Sequence, residues 1–400
     1  MSAKRHEPPL SFVSLPIRKS AILLLGLSLG LAFASQAAVA QTFSVLYSFN
    51  GSGDGRLPVS PVILDAAGNV YGTAGGGGLG SDTGTVFELN STGQETTLYE
   101  FTGSPDGSIP QAGLFRDATG NLYGTTRWGG VSDLGTVFEV NAAGVETVLH
   151  SFNGGDGINP DCALIRDSAG NFYGTTFSGG AGGFGVVFKM NKLGHVTLLH
   201  QFTGGSDGGR PYAGLIQDRN GNLYGTTTSG GASGAGTVFK LTATGVLSVL
   251  HAFTGKSGDG ATPYGGLIQG AGGYFYGTTN GGGGAATCPS GCGTIYRVSP
   301  SGSYQVLHRF NGNDGMTAGS SLLAASGGYF GTTSLGGSDG FGVVYELKTN
   351  NQLVVLYNFT ETTDGGQPYA SLAQDSAGNL YGTTIYGGAF NNGVVFKVAP

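Results

Sequence analysis

From residue 43 onward, apolar and polar positions fall in short runs that no helical period fits. "TVFEV" at 136–140 and "VTLLHQF" at 196–202 are examples, rich in Val, Phe and Leu and bounded by Gly, Asn or Asp. Such runs read as β-strands, and they come in sets of four. One set is "ALIRD" (163–167), "NFYGTT" (171–176), "VVFKM" (186–190) and "VTLLHQF" (196–202). "DSAGN" joins the first two and "NKLG" the last two; Asp folds onto such turns and Gly accepts positive φ there. Each set therefore predicts a four-stranded antiparallel meander.

The set recurs along the chain. "NLYGTT" stands at 121–126, 222–227 and 379–384, and its aromatic falls at Tyr71, Tyr123, Tyr173, Tyr224, Tyr276, Phe330 and Tyr381. Seven copies spaced 50 to 54 residues apart predict a β-propeller. Strands apolar on both faces, such as 136–140, need a sheet on either side, which radial stacking supplies. Gly124 and Gly174, inside second strands, are expected to admit another backbone. The ends give the closure. "FSVLYSF" at 43–49 matches a fourth strand but precedes any complete unit, and the last unit stops after a third strand, "VVFKV" at 394–398. The first strand thus completes the last blade and removes the exposed edge. An open β-solenoid would give this split no purpose. The expectation is an all-β, seven-bladed propeller of four-stranded blades, one domain over 41–400.

The core "GNLYGTT…GG…GTVFKL", as at 221–241, with its Asp-Gly and "LH.F" segments, resembles the GloVer tandem-repeat family of exported bacterial proteins, often called choice-of-anchor proteins. The resemblance spans nearly all of the mature chain. The family is defined by its repeats, so it implies no activity. Members commonly carry a C-terminal sorting tail; this sequence ends in "GVVFKVAP", and surface anchoring is not expected.

Composition changes the picture in three places. The 79 glycines recur at fixed offsets beside apolar residues, which points to order rather than low complexity. A net charge of -6 with no basic stripe argues against nucleic acid as a partner. Arg18 and Lys19 precede an apolar run at 21–34, and "AVA" at 38–40 offers a cleavage site. Residues 1–40 therefore read as a signal peptide, with a retained anchor the alternative. A secreted or periplasmic protein follows, without a membrane span after cleavage and monomeric. No nucleophile elbow, phosphate loop or metalloprotease motif is present, so no cofactor or metal is expected.

Meander topology puts the tight turns on one face. The other face carries the Gly-rich loops after the second strands and the Asp-Gly connections between blades. From the Asp of Asp-Gly to the repeat aromatic is 17 residues in six units and 16 in the sixth; from there to the third-strand aromatic varies from 15 to 20. Length variation thus concentrates on the loop-rich face, where binding is expected. The aspartates themselves (Asp54, Asp106, Asp156, Asp207, Asp259, Asp314, Asp364) recur in every blade, so turn shaping is favoured over a carboxylate ring. Fourth-strand histidines (His150, His200, His251, His308) are too far apart for one metal and read as structural. Third-strand charges such as Glu88 and Lys189 read as a solvated rim.

Departures from the repeat carry the candidate chemistry. After the Pro that follows Asp-Gly stand Val59, Gln111, Asp161, Tyr212, Tyr264 and Tyr369. Placed at the mouth of an axial channel, the three tyrosines with Gln111 and Asp161 would hold a sugar by stacking and hydrogen bonds, although ordinary packing is the competing account. Arg127 and Trp128, the only tryptophan, follow one "YGTT"; Tyr386 and Phe177 occupy nearby slots. Cys288 and Cys292 would staple the insertion at 281–292, and two thiols are too few for zinc. Cys162 fills a slot read as Ala or Gly elsewhere. Asp161 is the candidate acid among Asp82, Asp133, Asp161, Asp339 and Glu361 should two carboxylates meet across the channel. The expected function is an exported scaffold binding extracellular carbohydrate. A glycoside hydrolase or polysaccharide lyase, and a structural protein binding other extracellular proteins, are the alternatives.

Overall fold

The computed structural model describes residues 41–399 apart from Leu79, Ser81, Ala286 and Ser326; the expected signal peptide at 1–40 lies outside the described residues. Seven four-stranded antiparallel sheets follow one another along the chain. Blade 3 shows the pattern: Ile165–Arg166, Phe172–Thr176, Val186–Met190 and Val196–Gln201, hydrogen-bonded in that order. The first strand is shorter than its sequence suggests, and just ahead of it the Cys162 carbonyl accepts from Thr125 of the neighbouring blade.

Blade 7 is closed as expected. Thr42–Ser48 pairs with Val394–Ala399, placing Phe43 opposite Val398 and Ser48 opposite Val394. Phe43 also stacks on Tyr357 of blade 6, centroids 3.8 Å apart. The chain's start is therefore held by two blades.

Each letter of "LYGTT" has its own task. In blade 2, Tyr123 reaches Asp117 of the first turn at 3.3 Å, and that turn is held by Asn121 N–H donating to Asp117 at 3.0 Å. Gly124 lies opposite Phe138, and a Cβ on it would stand 2.6 Å from the ring. The space is thus needed for a Phe ring of the same blade, not for another backbone as the sequence suggested. Thr125 donates to the carbonyl of Cys162 in blade 3 at 3.1 Å, and Thr126 bonds Thr136 at 2.8 Å within its own blade. The first threonine repeats its bond around the ring, ending with Thr383 donating to Ser60, where blade 7 meets blade 1.

Seven hydrophobic clusters lie between the blades rather than within them. Each contains the fully buried aromatic that follows a fourth strand, packed edge-on against the third-strand ring of the next blade, as Phe152 on Phe188 at 5.4 Å. Such pairs contribute ~0.5–1.5 kcal/mol beyond their buried area. The third-strand charges are not a solvated rim. They are half-buried opposite the repeat aromatic, several in direct contact with its tyrosine: Lys189 over Tyr173, Lys240 over Tyr224, and Glu88 accepting from Tyr71.

Candidate functional site

The approach to the axis is built the same way seven times. The aspartate of Asp-Gly accepts a backbone N–H four or so residues upstream and a fourth-strand side chain: Tyr47, Tyr99 and Tyr357 by hydroxyl, His150, His200, His251 and His308 by Nε2 at 2.9–3.3 Å. Two motifs read separately in the sequence are thus one clamp, and the histidines are structural. Three residues after each aspartate, just ahead of the mouth, comes a residue in the left-handed region, for example Ile109 (φ 56°), Asn159 and Arg210. In blade 2 its N–H donates to Thr83 of the preceding blade and its carbonyl accepts from Arg127 of its own. The strain of a β-branched residue there, about 1–3 kcal/mol, is offset by these two bonds.

This clamped backbone brings one residue per blade to the mouth: Val59, Gln111, Asp161, Tyr212, Tyr264, Gly319 and Tyr369. Together they surround a cavity of about 410 Å³, with small residues such as Gly113, Ala163, Gly214 and Gly266 below them. The volume lies in the range of small-molecule sites, ~300–1,000 Å³. Gly319 was missed in the sequence because Ala318 replaces the proline that marks the slot in the other blades.

Asp161 dominates the chemistry. Its side chain is 0% exposed, and neither carboxylate oxygen has a hydrogen-bond partner. Arg127 Nη1 stands 3.4 Å from Oδ2 and 3.4 Å from the Gln111 amide oxygen. Burial pushes the Asp161 carboxyl up to about 7, with Arg127 acting in the opposite direction. Burial and the charge of Asp161 also push the Tyr212 hydroxyl up. Tyr212 meets Tyr264 edge-on at 5.1 Å and Phe177 at 6.3 Å. Asn280 also lines the cavity, and its amide oxygen is buried and unpaired. Its slot after the second strand is that of Arg127, the one sequence signal that would have found it.

Trp128 and Tyr386 do not join this group. Both sit on the outer part of the loop-rich face, 36% and 37% exposed, with backbones paired to Ser108 and Gly366. Asp82 pairs with Arg56, and Asp133 accepts from Gly129 N–H. Neither these nor Asp339 nor Glu361 lines the cavity, so among the described residues Asp161 has no second carboxylate beside it there. Cys288 and Cys292 form the expected disulfide, Cα atoms 5.3 Å apart, packed with Phe310 and Ala318. Cys162 is buried, its thiol pushed by burial up to about 11. It bonds Thr175 as Ser60 bonds Thr73, so its slot also takes serine, contrary to the sequence reading.

Residues 80–289 and 286–400 match the model of the Gloeobacter/Verrucomicrobia repeat. No protein of curated function matches the sequence. Among solved structures, the extracellular domain described for a one-component system of B. thetaiotaomicron is 13% identical over 90% of this chain and 41% of that one, with a TM-score of 0.55. The extracellular domain described for a hybrid two-component system of B. thetaiotaomicron is 12% identical over 90% and 42%, with a TM-score of 0.56. This chain spans about two fifths of their length. At such identities the likeness establishes the fold alone.

Proposed function

Because the chain belongs to the Gloeobacter/Verrucomicrobia repeat family, which is delimited by its repeat and by no reaction, we propose its function from the axial cavity: an exported scaffold that binds carbohydrate at the channel mouth. One observation carries the reading. A buried carboxylate with no hydrogen bond to either oxygen, and Arg127 3.4 Å from one of them, belongs to the lining of the same small cavity as Tyr212, Tyr264 and Tyr369. Hydroxyl-rich ligands satisfy such acceptors, while aromatic faces receive their C–H surfaces. The signal-like N-terminus and the Cys288–Cys292 disulfide support export. On a glycan array, the purified protein retains a defined set of saccharides, and Tyr264→Ala loses them. Equal retention by that variant, with its melting temperature unchanged, excludes the cavity as the binding site.

A second reading, acid catalysis on a glycosidic bond, is favoured by the Asp161 carboxyl at about 7, a value suited to a general acid. It lacks a second carboxylate among the residues lining the cavity. Release of reducing ends from a polysaccharide panel, abolished by Asp161→Asn, would establish it over binding alone.

A further inference from the structure

We infer that the cavity takes its ligand by two adjacent hydroxyl groups donated to Asp161, so that its ligand class is neutral sugars and cyclic polyols with a free vicinal diol. The inference rests on the carbohydrate reading above and narrows it. Three buried acceptors without a hydrogen-bond partner belong to residues lining this one cavity: Asp161 Oδ1, Asp161 Oδ2, whose nearest charge is Arg127 at 3.4 Å, and Asn280 Oδ1. Buried acceptors are stabilised when donors reach them, so a donor-rich ligand suits this cavity. A carboxylate offers its two oxygens side by side, and a vicinal diol offers two hydroxyls at matching separation. No side chain from the facing slot crowds the Asn280 amide, because that slot holds Gly319, where a Cβ would stand 2.7 Å from Asn280 Oδ1.

Charge selects among donors. Arg127, 3.4 Å from Asp161, already supplies one positive charge to balance the carboxylate. The other polar residues lining the cavity, Gln111, Asn280, the three tyrosines and Ser320, Ser321 and Ser371, bring no second full charge to it. A neutral diol leaves that balance intact. An amino sugar would add a second cation around one carboxylate, and a uronate would set an anion against it in a poorly solvated site.

Donation to the carboxylate competes with its proton. Burial raises the Asp161 carboxyl towards neutrality, Arg127 acts against that and the Tyr212 hydroxyl feels its charge, so affinity falls as pH drops below about 7.

The test is a calorimetric and saturation-transfer NMR titration of the purified protein. The probes are neutral methyl glycosides, their 2,3-di-O-methyl derivatives, glucosamine, glucuronate and myo-inositol. The expected result is binding of the glycosides and inositol, with at least about tenfold weaker binding after O-methylation or for either charged sugar. Affinity drops about tenfold or more between pH 8 and pH 5.5, and Asp161→Asn weakens binding and removes that dependence. Asn280→Ala weakens binding and keeps it. Glycosides that bind equally well after O-methylation or to Asp161→Asn overturn the diol contact and leave the carbohydrate reading standing. Inositol binding without any glycoside does the reverse. Binding of neither overturns both.

Discussion

Replacing Asp161 with Asn makes the burial of this carboxyl measurable as stability. The folded group titrates near 7 against 3.8 for an ordinary aspartate. Below pH 3.8 it is protonated in both states and brings no ionic penalty. Between those values the unfolded chain ionises while the folded one keeps its proton, so stability falls by ~1.4 kcal/mol per pH unit. Above about 7 the loss is complete, on the order of 4 kcal/mol. At pH 5 only ~1.5 kcal/mol of it has developed. Asn does not titrate, so its stability advantage over Asp is larger at pH 8 than at pH 5 by roughly 2–3 kcal/mol. Urea unfolding of both proteins at the two pH values, followed by circular dichroism, reads this difference directly. Other titrating groups are common to both proteins and cancel. An advantage equal at both pH values within about 0.5 kcal/mol would refute the reasoning, because the carboxylate would then be as well solvated or paired in the fold as in the open chain.

Tyr296 and Tyr345 bury hydroxyls with no partner where five blades carry Phe, so Tyr296→Phe and Tyr345→Phe each stabilise by about 1 kcal/mol in thermal unfolding; destabilisation by either contradicts that account. Thr383→Val breaks the bond to Ser60 at the ring's closure, and Thr175→Val breaks its equivalent to Ala213. Both cost ~1–2 kcal/mol by calorimetry, and a much larger cost at Thr383 would mark the closure as a weak seam. Converting Cys288 and Cys292 together to Ser costs about 2 kcal/mol from the short loop they close, while saccharide binding is unchanged, since neither lines the cavity.

The fold was legible because its signal is repetition: the orphan strand at Phe43 and the missing one after Val398 fixed the closure without any side-chain detail. The mouth was legible for the complementary reason, that Gln111, Asp161 and Tyr212 break a pattern kept elsewhere. Pairing was not. Arg127 meets Asp161 only because adjacent blades bring their loop and connection together, and no local spacing encodes that. The His–Asp clamps escaped for the same reason, each half looking like a separate motif. Gly319 gains meaning only beside Asn280, as an absent side chain whose Cβ would crowd that amide.

Each mouth residue follows a short stretch whose polar backbone groups are engaged by two neighbouring blades. What that residue carries is consequently uncoupled from whether the ring assembles. A gene that multiplied one unit would begin with seven identical lips, and mutation could then recolour them one at a time while the hub went on forming. The slot already holds five residue types in one ring, Val, Gln, Asp, Tyr and Gly, and a library varied at those seven codons should yield new receptors at little expense in folding.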